Sequence, residues 1–163
     1  MELRDERPDD AAAIHDVTAT AFATAPHSDG TEAAIVDRLR AAGALTLSLV
    51  AEDGGAIVGH VAFSPILIDG AGDRWFGLGP VSVAPGRQRQ GIGSALIVAG
   101  LARLRAEQAK GCVVLGDPVY YRRFGFAPDA ALQFPGLPPE YFQCLAFDGA
   151  RQAGIVSYHA AFG

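Results

Sequence analysis

Between Trp75 and Leu115 the chain passes from a strand pattern through a glycine-marked loop into its clearest helix, then out into a short apolar run. No other feature constrains the fold as much. The strand predicted over Trp75–Val83 is stopped by Val83-Ala84-Pro85-Gly86, because proline and glycine both interrupt a strand. The helix predicted from about Ile92 to Gln108 carries Leu96, Ile97, Gly100, Leu101 and Leu104 as a broad apolar stripe. Arg103, Arg105 and Lys110 favour its carboxyl end, and Gly111 suits its C-cap. Cys112-Val113-Val114-Leu115 is too short and too apolar to be anything but a buried strand, expected parallel to the one before the helix. A strand–helix–strand crossover of this kind places the chain among α/β folds.

The flanking segments supply the rest of the sheet. A strand is expected at Glu2–Arg7. A helix follows over Ala11–Ala23, with Ile14, Val17 and Ala21 at helical spacing, and a second over Thr31–Ala42, with Ile35, Leu39 and Ala42 on one face and Gly43 as its stop. The period then changes. Leu45–Glu52 and Ala56–Ile68 read as two strands joined at Asp53-Gly54-Gly55, a strong hairpin signal. Pro65 marks a bulge or an edge in the second. A short helix over Val119–Phe124 ends at Gly125, and strands are expected at Phe142–Phe147 and Ile155–Tyr158. With no repeat and no low-complexity linker, residues 1–163 read as a single domain, α/β (α+β) with an antiparallel front.

Composition narrows the function classes. Half the residues are hydrophobic and 19% are charged, which excludes disorder. No apolar run reaches the length of a membrane span, and Met1-Glu2-Leu3-Arg4-Asp5 is too polar for a signal peptide; the expectation is a soluble cytoplasmic protein with no membrane partner. Cys112 and Cys144 then read as reduced core residues, and neither has metal-ligand spacing, so no metal is expected. A net charge of −5 argues against nucleic acid as partner. From Arg74 to Ala106 there are five arginines and no acid, so that stretch is +5 and the remainder −10. A positive zone on an acidic body would hold an anionic cofactor and still attract a cationic substrate; chance clustering on a solvated face is the competing explanation.

The chemistry concentrates in Val83-Ala84-Pro85-Gly86-Arg87-Gln88-Arg89-Gln90-Gly91-Ile92-Gly93-Ser94. Free N–H groups at the helix start, with the positive end of the helix dipole, form a phosphate site. Gly91 and Gly93 let the backbone approach phosphate oxygens and permit positive φ. A Walker A loop would need a lysine absent here, and the dinucleotide fingerprint would need a glycine where Leu96 stands. A purely structural glycine turn remains the bland alternative.

At these residues the sequence resembles motif A of the GNAT superfamily of N-acetyltransferases, with Gln88-x-x-Gly91-x-Gly93 in the place of its Gln/Arg-x-x-Gly-x-Gly/Ala signature. Gly59-His60-Val61-Ala62-Phe63-Ser64-Pro65 and Gly116-Asp117-Pro118-Val119-Tyr120-Tyr121-Arg122-Arg123-Phe124-Gly125-Phe126 are similar, more narrowly, to the YhbS-like acetyltransferases. The resemblance implies a mixed, mostly antiparallel sheet flanked by helices, with splayed parallel strands at the cofactor cleft. It implies acetyl-coenzyme A as co-substrate, its pyrophosphate on the amides of Gln88, Arg89, Gln90, Gly91, Ile92, Gly93 and Ser94, and its pantetheine arm paired with the backbones of Val81 and Val83. Transfer would go directly to a primary amine, there being no Gly-x-Ser-x-Gly elbow for a covalent route; the alternative is a non-catalytic acyl-coenzyme A binding or sensing module. Tyr121, four residues before Gly125-Phe126, stands where the superfamily commonly has a tyrosine, and its neutral phenol suits a proton donor to the departing thiolate. Tyr120 reads as packing, and His60 as a core or sheet-surface histidine. The general base is not assigned: Glu32 at the start of the second helix and His27 in the loop before it each read more readily as surface or capping residues. The acceptor amine is not legible, nor is the choice between monomer and homodimer.

Overall fold

The computed structural model describes residues 1–163. The chain runs β1 (Glu2–Asp5), α1 (Ala11–Phe22), α2 (Glu32–Ala41), β2 (Leu47–Asp53), β3 (Ala56–Pro65), β4 (Leu67–Ile68) and β5 (Trp75–Val83). It continues through α3 (Ile92–Ala106), β6 (Gly111–Leu115), α4 (Pro118–Tyr121), β7 (Leu132–Gln133), β8 (Phe142–Ala146) and β9 (Gly154–Ser157). Six strands form the main sheet in the order β1-β2-β3-β5-β6-β8. Every neighbouring pair is antiparallel except β5 and β6, which α3 joins as a parallel crossover. This is the expected mixed, mostly antiparallel sheet.

The hairpin between β2 and β3 turns at Gly54 and Gly55, whose φ values of 59° and 83° give the two left-handed positions that its twist demands. The run Ala56–Ile68 is not one strand. Proline has no N–H for a ladder, and after Pro65 the chain leaves the main sheet to form β4, part of a small second sheet ordered β4-β9-β7. That second sheet was not legible, because β4 and β7 are two residues each. Gly111 opens β6 instead of capping α3; the left-handed position after the helix falls to Gln108, at φ 63°. Gly111 is small because the Trp75 ring fills the space its Cβ would take.

Each face of the sheet carries its own core. On one face α3 packs Leu96, Ile97, Leu101 and Leu104 against Phe63, Val61 and Leu49. On the other, α1 and α2 bring Ile14 and Val36 onto Val50. Cys112 lies in the α3 core and Cys144 in a separate cluster with Trp75 and Val113. Cys144 stands opposite Val113 in the β6–β8 register, so the two thiols point to opposite faces; both are free.

Candidate active site

The parallel pairing is short: Trp75–Leu78 lies against Gly111–Val114, and there it ends. β5 runs on to Val83, while β6 stops at Leu115 and the chain turns away at Gly116. The last part of β5 therefore has β3 on one side and an open edge on the other. The Ala84 N–H donates to Val58 O of the β2–β3 side at 2.9 Å. By strand alternation the N–H and C=O of Val83, and of Val81 before it, turn to the open edge. The Gln88 side chain closes the end of that edge, its Nε2 donating to Val83 O at 3.2 Å.

Beyond β5 a single tight turn, Pro85–Arg87, leads into the loop before α3. Arg89 and Gly91 both take positive φ, 65° and 80°, two reversals of the kind that build anion-binding nests from successive amides. No backbone N–H from Gln88 to Ser94 donates a hydrogen bond within the chain, and no side chain caps α3. These are donors held ready at the positive end of a 15-residue helix. They border a cleft of about 560 Å³ lined by Val81, Val83, Arg89, Gly93 and Tyr121 among others. Ile92 gives this cleft its amide alone, since its side chain is buried in the α3 core. Gly93 is already helical and takes no positive φ. A Cβ there would meet Tyr120 Oη and Val83 at 3.6 Å, ordinary contact, so packing within the chain does not require the bare position, which borders the cleft.

Asp117 caps α4 by accepting from the Val119 N–H at 2.9 Å, and this one-turn helix presents two tyrosines to the cleft. The Tyr121 ring lies over Gly116, where a Cβ would collide with it, and meets Tyr120 edge-on with centroids 5.0 Å apart. Its hydroxyl makes no hydrogen bond within the chain. Burial, with Tyr120 adding to it, raises its phenol above the ordinary range, so the group stays protonated at neutral pH. Tyr120 is more than packing: it shares a hydrogen bond with Ser94 Oγ at 3.2 Å, and the Arg123 guanidinium sits 4.5 Å above its ring. The sequence signal for it was adjacency to Tyr121 alone, which cannot tell which residue of a short helix reaches the α3 N-terminus.

The basic stretch disperses on folding. Arg103 pairs with Asp5, Arg74 binds carbonyls at the end of α3, and Arg105 stacks on Phe147. Of the five, Arg87 and Arg89 line the cleft, Arg87 tied at 2.8 Å to Asp53 of the hairpin, and Arg123 joins them from outside the stretch. Glu32 borders a second cavity that meets β5 at Leu78–Pro80, whereas His27 borders neither. His60 is a core residue at 0% exposure, its Nε2 bonded to Ser48 Oγ at 2.7 Å and its Nδ1 without a partner. No group of three or more His, Cys, Asp or Glu side chains is placed to hold a metal.

A parallel pair that parts beside a helix start with free amides makes an anion site next to an open strand edge, an arrangement suited to a diphosphate-bearing carrier laid along the strand. Comparison with known proteins is in accord with it. Residues 45–128 match the acetyltransferase (GNAT) domain. The uncharacterized N-acetyltransferase YhbS of Escherichia coli K12 is 36% identical over 169 residues, covering 99% of this chain and 98% of that protein. A GNAT family acetyltransferase from Brucella melitensis, solved in complex with acetyl-CoA, is 56% identical with a TM-score of 0.89, over 99% of this chain and 97% of that one. The structure of E. coli YhbS in complex with CoA gives a TM-score of 0.88 at 35% identity, over 99% and 91%. The chain belongs to the GNAT family of N-acetyltransferases and is a transferase.

Proposed function

We propose that this protein moves an acetyl group from acetyl-coenzyme A directly to a primary amine, in one domain comprising residues 1–163. The observation that carries this is the set of unpaired amides from Gln88 to Ser94, set beside the open edge of β5. Those amides suit a pyrophosphate, with Arg89 and Arg123 adding charge at its rim. The outward N–H and C=O groups of Val81 and Val83 suit the amides of a pantetheine arm, which would lie where β6 has withdrawn and bring the thioester toward Tyr121. The complexes of the Brucella and E. coli relatives with acetyl-CoA and CoA support the choice of carrier.

In this reaction the neutral amine attacks the thioester carbonyl, a C–N bond forms and the C–S bond breaks. Tyr121 gives its proton to the departing thiolate sulfur, and the proton lost by the amine restores the phenol through solvent. Its raised affinity for the proton keeps it loaded at every physiological pH. Tyr120, held by Ser94, fixes the wall against which Tyr121 stands.

Thermal unfolding in the presence of acetyl-coenzyme A, NAD or ATP tests the carrier. Acetyl-coenzyme A should stabilise the fold by about 2.7 kcal/mol at a hundredfold excess over Kd, with no comparable effect of the other two. Tyr121→Phe should lower kcat by about 10²-fold or more while leaving that stabilisation in place. An unchanged kcat would remove Tyr121 from the reaction, and a preparation that binds acetyl-coenzyme A but turns over no amine would favour a binding module.

A further inference from the structure

The second cavity deepens this picture by indicating which amine is taken, and it rests on the transfer reaction proposed above. Its volume is about 520 Å³, inside the range of small-molecule sites. It is bordered by Leu78, Gly79 and Pro80 of β5 and Leu115 of β6, around the point at which the two strands part. The cofactor cleft thus reaches β5 at Val81 and Val83, and this cavity reaches it immediately upstream. An amine seated here would approach a thioester lying in the gap.

Most of the lining residues are hydrophobic. Phe22, Phe134, Tyr158 and Phe162 supply four aromatic rings, and no lysine or arginine lines the cavity. Phe134 and Tyr158 meet edge-on at 5.3 Å, and Tyr158 and Phe162 are tilted at 5.2 Å, so three of the rings form a connected wall. One acidic side chain borders the cavity, Glu32 at the start of α2. Ser28 Oγ donates to its Oε1 at 2.7 Å and orients it, while no basic side chain pairs with it and Oε2 is left for a ligand. His159 also borders the cavity, but the Ala161 N–H donates to its Nδ1 at 3.0 Å. Glu32 is thus the one acidic side chain in the lining.

We propose that the acceptor is a small primary amine carried on an apolar, aromatic-sized body, with its ammonium recognised by Glu32, losing one proton to solvent before the free amine attacks, and its body held by the ring wall of Phe134, Tyr158 and Phe162. A single acidic side chain among aromatic faces matches a cationic head on an apolar body by charge and by cation–π attraction. A polyamine fits badly: its second and third ammonium groups would be desolvated against phenyl rings with no partner. A lysine within a polypeptide would bring polar backbone to the same surface.

Two measurements together test this. Calorimetric titration of 2-phenylethylamine, spermidine and a lysine-bearing peptide into the protein alone reads the cavity without the coenzyme. Thiol release with acetyl-coenzyme A and the same amines reads transfer. Phenylethylamine should bind at least tenfold tighter than spermidine and give a kcat/KM at least 100-fold higher. Glu32→Gln should lower kcat/KM for phenylethylamine about tenfold or more through KM, with stabilisation by acetyl-coenzyme A unchanged. Spermidine or the peptide matching phenylethylamine, or Glu32→Gln leaving KM unmoved, overturns the inference. If acetyl-coenzyme A stabilises the protein and phenylethylamine neither binds nor reacts, the acceptor is wrong and the transfer reaction stands. If phenylethylamine binds but acetyl-coenzyme A does not, the transfer reaction falls and the acceptor inference falls with it, leaving only an amine-binding cavity.

Discussion

Single atoms decide how the cleft is shaped. At Gly116 the missing Cβ makes room for the Tyr121 ring, and its φ is ordinary, so the demand is for space alone. Gly116→Ala should therefore swing Tyr121 away and reduce kcat by tenfold or more, an order set by the sensitivity of catalysis to misplacement of about 1 Å. The same variant should keep its response to acetyl-coenzyme A in thermal unfolding; a normal kcat would show that the ring's position is immaterial. At Gly91 the demand is conformational. Its φ is 80° and a Cβ there would meet nothing within 4 Å, so Gly91→Ala costs backbone strain alone, about 1–2 kcal/mol, visible as a lower Tm. The reversal at Gly91 was legible because glycine before a helix start is the residue most free to take positive φ. The left-handed Arg89 was not, since nothing in an arginine's chemistry announces positive φ.

Among the elements, α3 and β5 do most to set the site, and their association depends on another bare position. Gly100 lies mid-helix, where a Cβ would fall inside the ring of the fully buried Phe63 on β3. Gly100→Ala should destabilise the fold by about 1–3 kcal/mol through overpacking, despite the better helix propensity of alanine. At this chain length each kcal/mol corresponds to roughly 2–4 °C in Tm; an unchanged or raised Tm would contradict the packing described. The β5–α3–β6 crossover was legible almost to the residue, because its periods change sharply from two to 3.6 and back. The sheet β4-β9-β7 was hidden, since two-residue strands carry no period. Glu32 looked like a capping or surface acid for a related reason: its neighbours in the cavity, Phe134 and Tyr158, are over a hundred residues away in sequence.

For the whole molecule the main titrating liability is His60. Burial lowers its pKa from 6.5 to about 4, opposed by the nearby Glu6 carboxylate and aided by Arg40. The unfolded chain takes up a proton there near pH 6.5 while the folded chain resists until about pH 4. Acidification across that window therefore favours unfolding, by about 1.4 kcal/mol per pH unit. Denaturant titrations from pH 7 to 4 should show this loss, and His60→Gln should flatten it; a wild-type slope of zero would mean that the buried imidazole is charged or solvated. Glu6, whose own pKa is lowered although its burial opposes this, because Arg40 and Ser48 bind it, adds a further loss only below its ordinary range near 4.5. No helix is long and apolar enough to cross a membrane.

The central claim is that the amides of Gln88–Ser94 and the open edge of β5 together clasp the carrier. Residue-resolved amide hydrogen exchange, with and without acetyl-coenzyme A, measures it directly. The N–H groups from Gln88 to Ser94 have no acceptor in the chain, so they should exchange fast in the free protein and become the most strongly protected on binding, with Val81 and Val83 following. Saturating acetyl-coenzyme A with exchange at Gln88–Ser94 unchanged, or protection confined to other segments, would contradict the account.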